Sequence, residues 1–197
     1  MNKQDMLKIK SVALRNLFKQ ELLNKNGVVK YSEWDILKRL LIMEPENSGY
    51  IDIDGESRKY KPKKNISLNP VIYFWVEKST GKIVYVGKAG KGLEKRLTEH
   101  EGGWKDENNK AQKNIPIENQ RLIIWTIPVH QLPITDEELL RGLSPFERNI
   151  EEISVDIIDQ IEKIFIFICQ PLLNTHHKNG NSVDIAMLEN ILGINGE

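Results

Sequence analysis

The stretch that most constrains this chain runs from residue 71 to residue 86. Val71-Ile72-Tyr73-Phe74-Trp75-Val76 is an unbroken run of β-branched and aromatic residues, Ser79-Thr80-Gly81-Lys82 is turn-forming, and Ile83-Val84-Tyr85-Val86 is a second such run. β-Branched and aromatic side chains pack well on a pleated surface, and so short a connection leaves the two runs no choice but to pair as a hairpin. Tyr73 and Tyr85, twelve positions apart, face the same side of that hairpin if its register permits. Gly87 to Gly92 then reads as a glycine-rich loop, followed by a helix from about Leu93 to His100. Arg96 and His100 are spaced i, i+4 on it and so share one helix face.

The remaining segments are arranged around the hairpin. Met6, Ile9, Leu14, Leu17, Phe18 and Leu22 predict a helix over 4–24, and a second helix runs from Ser32, an N-cap type, to about Met43. Asn47-Ser48-Gly49 and the lysine-rich stretch 58–64 read as loop, the latter either a solvated linker or an arm that contacts phosphates. Residues 101–119 read as a polar loop. Leu122 to Ile127 is a third strand closed by Pro128, 145–168 is a long helix that must end before Pro171, and Val183 to Leu192 is a weaker terminal helix. The expected fold is therefore α/β, a small three-stranded, mainly antiparallel sheet flanked by helices, with an N-terminal helical addition. Its expected division is a helical and basic accessory region over 1–66, a core domain over 67–178 and a C-terminal helix or tail over 179–197.

Charge and composition narrow the function classes. Net charge is zero, but residues 1–130 carry 24 Lys+Arg against 16 Asp+Glu, or +8, and residues 131–197 carry 4 against 12, or −8. A basic body with an acidic end still presents a positive face, because a polyanion responds to the local field. The longest apolar run, Ile164 to Cys169, has six residues, against roughly 20 for a membrane helix, so no membrane span is expected. Met1 to Asp5 has no basic start followed by an apolar stretch, and no secretion signal is expected there. The single cysteine, Cys169, makes neither an internal disulfide nor a multi-thiolate zinc site and reads as core packing. A reducing, cytoplasmic setting is expected. The 87–92 loop is not a triphosphate-binding loop, since Gly92 follows Lys91 where Ser or Thr would reach magnesium, and it does not fit G-x-G-x-x-G.

Val71-Ile72-Tyr73 and Tyr85-Val86-Gly87, followed by Arg96 and His100 on a helix, resemble the paired strand signatures of the GIY-YIG nuclease family. Val71 replaces the family's first glycine, at a position that contributes backbone. Further along, Glu162 on the late helix and the turn Pro171-Leu172-Leu173-Asn174 resemble that family's closing signature. The resemblance covers about residues 70–176, and it implies a metal-dependent endonuclease acting on phosphodiester bonds. Such hydrolysis needs an activated water, a proton acceptor and positive charge on the developing phosphorane.

By this resemblance Tyr73 is the expected base and Tyr85 its partner in holding the water, with the two roles interchangeable. An ordinary phenol, with a pKa near ~10, is a poor base at neutral pH, so the role requires the metal and nearby lysines to favour phenolate. Arg96 is the expected clamp on phosphate oxygens, its fork fitting that geometry. His100 either donates to a non-bridging oxygen or positions the water. Glu162 is the expected ligand of one Mg²⁺ or Mn²⁺ ion per site, Asn174 holds the local backbone, and Lys88 and Lys91 contact substrate. The expected partner is nucleic acid, DNA ahead of RNA, with a homodimer allowed. His176 and His177 are adjacent, point in different directions and lack partner ligands. Trp104 and Trp125 read as packing residues or base-stacking platforms. The competing reading is a nucleic-acid-binding module that keeps the fold without cutting.

Overall fold

The hairpin forms, and it occupies one end of a larger sheet. The computed structural model describes residues 32–41, 44–54, 57–63, 70–90, 92–103, 121–132, 155–174, 176, 183 and 185–191. In chain order the elements are α1 (Glu33–Leu40), β1 (Glu46–Asp54), β2 (Ser57–Pro62), β3 (Val71–Glu77), β4 (Ile83–Ala89) and α2 (Leu93–Gly103). They continue with β5 (Arg121–Pro128), a 3₁₀ turn (Val129–Gln131), α3 (Val155–Cys169) and α4 (Ile185–Ile191). The sheet is five-stranded in the order β2-β1-β5-β3-β4, and every neighbouring pair is antiparallel. No helix among the described residues is long and apolar enough to cross a membrane.

The expected three-stranded sheet is thus corrected to five strands, because residues 46–62, read as loop and N-terminal addition, form β1 and β2. Their sequence carries a weak signal for a physical reason. β2 is an edge strand, and its Arg58, Lys59 and Lys61 are the charged residues that discourage further pairing at an open edge. On β1 the polar Tyr50 and Asp52 flank Ile51, which is buried beneath them. A second difference lies at Gly87-Lys88-Ala89, expected as loop, which instead extends β4 opposite Val71 to Tyr73. The helix expected over 4–24 and residues 145–154 of the long helix lie outside the described residues.

Two apolar layers sandwich the sheet. Ile72, Phe74 and Val76 face one way into a core with α1, α3 and α4 that includes Trp34, Leu37, Ile161, Phe165 and Leu188. Tyr73 and Trp75 face the other way, with Leu93 and Leu97 of α2. β3 is buried on both faces, which is why it reads as a continuous apolar run without alternation. Each such large side chain contributes on the order of 1.5–3 kcal/mol when removed from water. Trp125 packs against the first layer, so of the two readings for this residue packing is the one observed.

α1 fastens the hairpin turn. Ser32 caps it, its Oγ accepting from Asp35 N at 3.1 Å, while Trp34 N donates to Gly81 O at 3.0 Å and Glu33 Oε2 accepts from Ile83 N at 2.8 Å. Gly81, at φ +67, stands where a Cβ would lie 2.3 Å from the Ser32 Cβ.

Candidate active site

Register decides which hairpin side chains meet. Tyr73 pairs with Gly87, and Trp75 pairs with Tyr85, so the two tyrosines lie diagonally across the strands on one face. Their ring centroids are 5.9 Å apart, and Trp75 packs against Tyr85 at 4.5 Å. A Cβ on residue 87 would sit 2.4 Å from Tyr73 Cζ and 2.5 Å from its hydroxyl oxygen. Only glycine leaves the space that the Tyr73 ring fills.

Arg96 reaches this pair from the first turn of α2. The two phenols are hydrogen-bonded to each other, and the Arg96 guanidinium is hydrogen-bonded to both. Tyr73 is fully buried, and desolvation pushes its pKa well above the usual phenol value. Its hydrogen bond to Tyr85 holds the proton on it further, and Arg96 opposes both effects. Tyr85 is partly exposed. Burial and the nearby Glu162 carboxylate raise its pKa, while the hydrogen bonds from Tyr73 and Arg96 pull it down. Tyr73 therefore donates, Tyr85 accepts, and Tyr85 is the phenol that ionises more readily. Of the two phenols, which the sequence leaves interchangeable as base, Tyr73 is sealed and Tyr85 is partly exposed.

Glu162 lies two turns before the end of α3, which packs on β4 and β3. Its side chain is 17% exposed, and Lys88 Nζ lies 3.3 Å from Oε2. Burial raises the Glu162 pKa, and the Asp159 charge adds to this. Lys88 and Arg96 act in the opposite direction without cancelling the rise. Lys88 also pairs with Asp159, one turn earlier on α3. Burial alone would lower the Lys88 pKa, but the two carboxylates outweigh it and raise the value. The Lys88 ammonium, expected to contact substrate, lies between Asp159 and Glu162.

Asn174 is placed by an unusual helix ending. Gln170 closes α3 at φ +49, in the left-handed region, with its N–H on Ile166 O at 2.9 Å, and Pro171 prevents the helix from continuing. The chain then crosses to the free edge of β4. Leu173 N donates to Val84 O at 2.9 Å, and the Asn174 amide brackets Val86, accepting from its N at 2.9 Å and donating to its O at 2.8 Å. Asn174 thus positions the strand that carries Tyr85 and Lys88.

The arrangement brings together Tyr73, Tyr85, Arg96, Glu162 and Lys88. His100 lies one turn beyond Arg96 on α2, with its side chain outside the described residues, as are Lys91, Trp104 and His177. His176 is exposed. Asp159, which the sequence did not single out, joins the site through Lys88. Its signal was the i, i+3 spacing to Glu162, which puts both on one helical face.

The donor set suits a hard cation. Among the described residues no three His, Cys, Asp or Glu side chains gather into a full cage. Glu162 is nonetheless a half-buried carboxylate with Asp159 one turn away, a set that fits an ion retaining most of its water, as Mg²⁺ does.

The chain matches no protein-family model, no curated protein and no solved structure.

Proposed function

We propose that the chain is a metal-dependent endonuclease of the GIY-YIG type that hydrolyses phosphodiester bonds in nucleic acid, DNA in the first instance. The observation that carries this reading is the convergence of four side chains from two strands and two helices. A hydrogen-bonded tyrosine pair, a guanidinium on both phenols and a half-buried carboxylate meet at one edge of the sheet. Ordinary core packing requires no arginine on two phenols and no half-buried glutamate beside them.

In this mechanism Arg96 binds the non-bridging phosphate oxygens as negative charge grows on them, where its fixed charge acts in a partly desolvated site. Tyr85 in its ionised form takes the proton of a water held beside it, and Tyr73 donates to the Tyr85 oxygen and fixes its orientation. The water oxygen bonds to phosphorus as the bond from phosphorus to the departing sugar oxygen breaks, leaving a phosphomonoester and a free hydroxyl. Glu162 would hold one Mg²⁺ or Mn²⁺ ion, which supplies charge stabilisation for phosphorus and the leaving oxygen. Lys59 and Lys61 of β2 and Lys63 just after it are exposed and offer sequence-independent attraction to phosphates.

The reading is tested by incubating supercoiled plasmid and a labelled RNA hairpin with the full chain in Mg²⁺ and in EDTA. Nicking or cutting in Mg²⁺ alone supports it. Retarded migration with no cutting under any divalent metal supports the non-catalytic binding module instead.

A further inference from the structure

Lys88 stands at an unusual place for a residue on a nuclease strand. It projects from β4 toward α3, and its ammonium lies between two carboxylates, Asp159 Oδ1 and Glu162 Oε2, the latter at 3.3 Å. The distribution of contact is uneven, with Asp159 the nearer partner. Asp159 and Glu162 are three positions apart on one helix face, so the ammonium shifts between them by side-chain rotation alone. Lys88 is about one-third exposed, and its flexible stem leaves room for that shift.

We infer that Lys88 is a built-in competitor for the cation site at Glu162, and that Asp159 is the seat to which its ammonium withdraws when a divalent ion binds. This rests on Glu162 being the metal ligand of the proposed nuclease. An ammonium 3.3 Å from one carboxylate oxygen and a hydrated divalent ion on the same carboxylate repel each other strongly. The repulsion falls when Lys88 sits on Asp159, which also keeps its charge paired. Otherwise the same lysine compensates the half-buried glutamate. Asp159 is therefore a positioning residue, acting on the metal through Lys88.

The test is Mn²⁺ binding to the full chain without nucleic acid, read by electron paramagnetic resonance of free Mn²⁺. The proteins are wild type, Glu162→Gln, Lys88→Met, Lys88→Gln, Asp159→Asn and the double variant Lys88→Met/Asp159→Asn. Even in a water-like dielectric, a unit charge about 4 Å from a divalent ion costs enough for its removal to tighten binding by about tenfold. Both Lys88 variants are therefore expected to bind Mn²⁺ more tightly than wild type. Asp159→Asn should weaken binding severalfold in wild type and distinctly less in the Lys88→Met background, because the loss is transmitted through the lysine. If both Lys88 variants bind Mn²⁺ no more tightly than wild type, the competition is refuted. If Asp159→Asn costs the same in both backgrounds, Asp159 acts on the ion directly and its role as the seat of Lys88 is overturned. Wild-type affinity retained in Glu162→Gln, or no binding by wild type, would instead remove the metal site on which the inference stands.

Discussion

The Tyr73 ring occupies the space a side chain at position 87 would need: its hydroxyl oxygen is 2.5 Å from where a Cβ on Gly87 would stand. The two residues are direct partners across β3 and β4. The glycine of the second strand signature and the tyrosine of the first are thus two halves of one steric arrangement. Changing either one moves the phenol pair.

Gly87→Ala is accordingly expected to damage the site out of proportion to one methyl group. The added carbon meets a buried ring held from behind by Trp75 and α2, and overpacking of this kind costs about 1–3 kcal/mol. Urea denaturation should show that loss, and cleavage at saturating Mg²⁺ should fall further than the stability loss explains. Unchanged activity would mean that Tyr73 need not keep its place.

The two tyrosines should separate in a pH profile. Both phenols are raised above the ordinary value, chiefly by burial, so the neutral form dominates at pH 7 and the single-turnover rate should climb toward alkaline pH. Tyr85→Phe should remove that climb and cost about 10²–10⁴-fold, the usual worth of a positioned proton acceptor. Tyr73→Phe should keep the climb and displace it upward, because Tyr85 loses the hydrogen bond that eases its ionisation. The same shifts bear on stability. The folded state holds these protons to higher pH than the unfolded chain, so stability is full below about pH 10, the unfolded phenol value, and falls as pH rises through the folded values. Tyr73→Phe should therefore resist alkaline unfolding better than wild type relative to its own stability at pH 7.

Arg96→Lys retains the charge and loses the fork. One ammonium cannot hold both phenols and two phosphate oxygens in the geometry a guanidinium allows. Removing a single oxyanion donor typically costs about 10²–10³-fold in kcat, and a loss of that size is expected in kcat with KM changed little. A rate close to wild type would reduce Arg96 to general electrostatic attraction.

Much of the fold was legible in the sequence, for reasons that differ by element. β3 and β4 announced themselves because burial on both faces demands an unbroken apolar run, while the phenol, arginine and glutamate positions were singled out only by the resemblance to GIY-YIG nucleases. β1 and β2 were missed because an edge strand stabilised by neighbours and charged on its open side carries little apolar pattern of its own. The two phenols stay interchangeable as base in the sequence, because a strand pattern does not tell a sealed tyrosine from a partly exposed one. Asp159 was passed over because Asp156 and Glu162 share its helix, and only the position of Lys88 across the layer singles it out.

Asn174→Ala tests whether that residue positions and does not react. It leaves the Val86 N–H and C=O without the amide that brackets them, and unsatisfied groups of this kind cost about 1–3 kcal/mol. Thermal stability should drop, Mn²⁺ binding should persist, and added stabilising osmolyte should recover part of the activity. An activity loss with stability unchanged would place Asn174 among the reacting groups.

The most direct measurement of the central claim compares wild type with Glu162→Gln on an end-labelled DNA duplex, in Mg²⁺, with binding and cleavage recorded separately. Glu162 is the half-buried carboxylate beside the phenol pair, and glutamine keeps its shape while removing its charge. The account predicts that cleavage falls on the order of 10³-fold, several kcal/mol of lost charge stabilisation, while duplex affinity stays within a few-fold of wild type. Mg²⁺-dependent cutting at the wild-type rate by Glu162→Gln would contradict it.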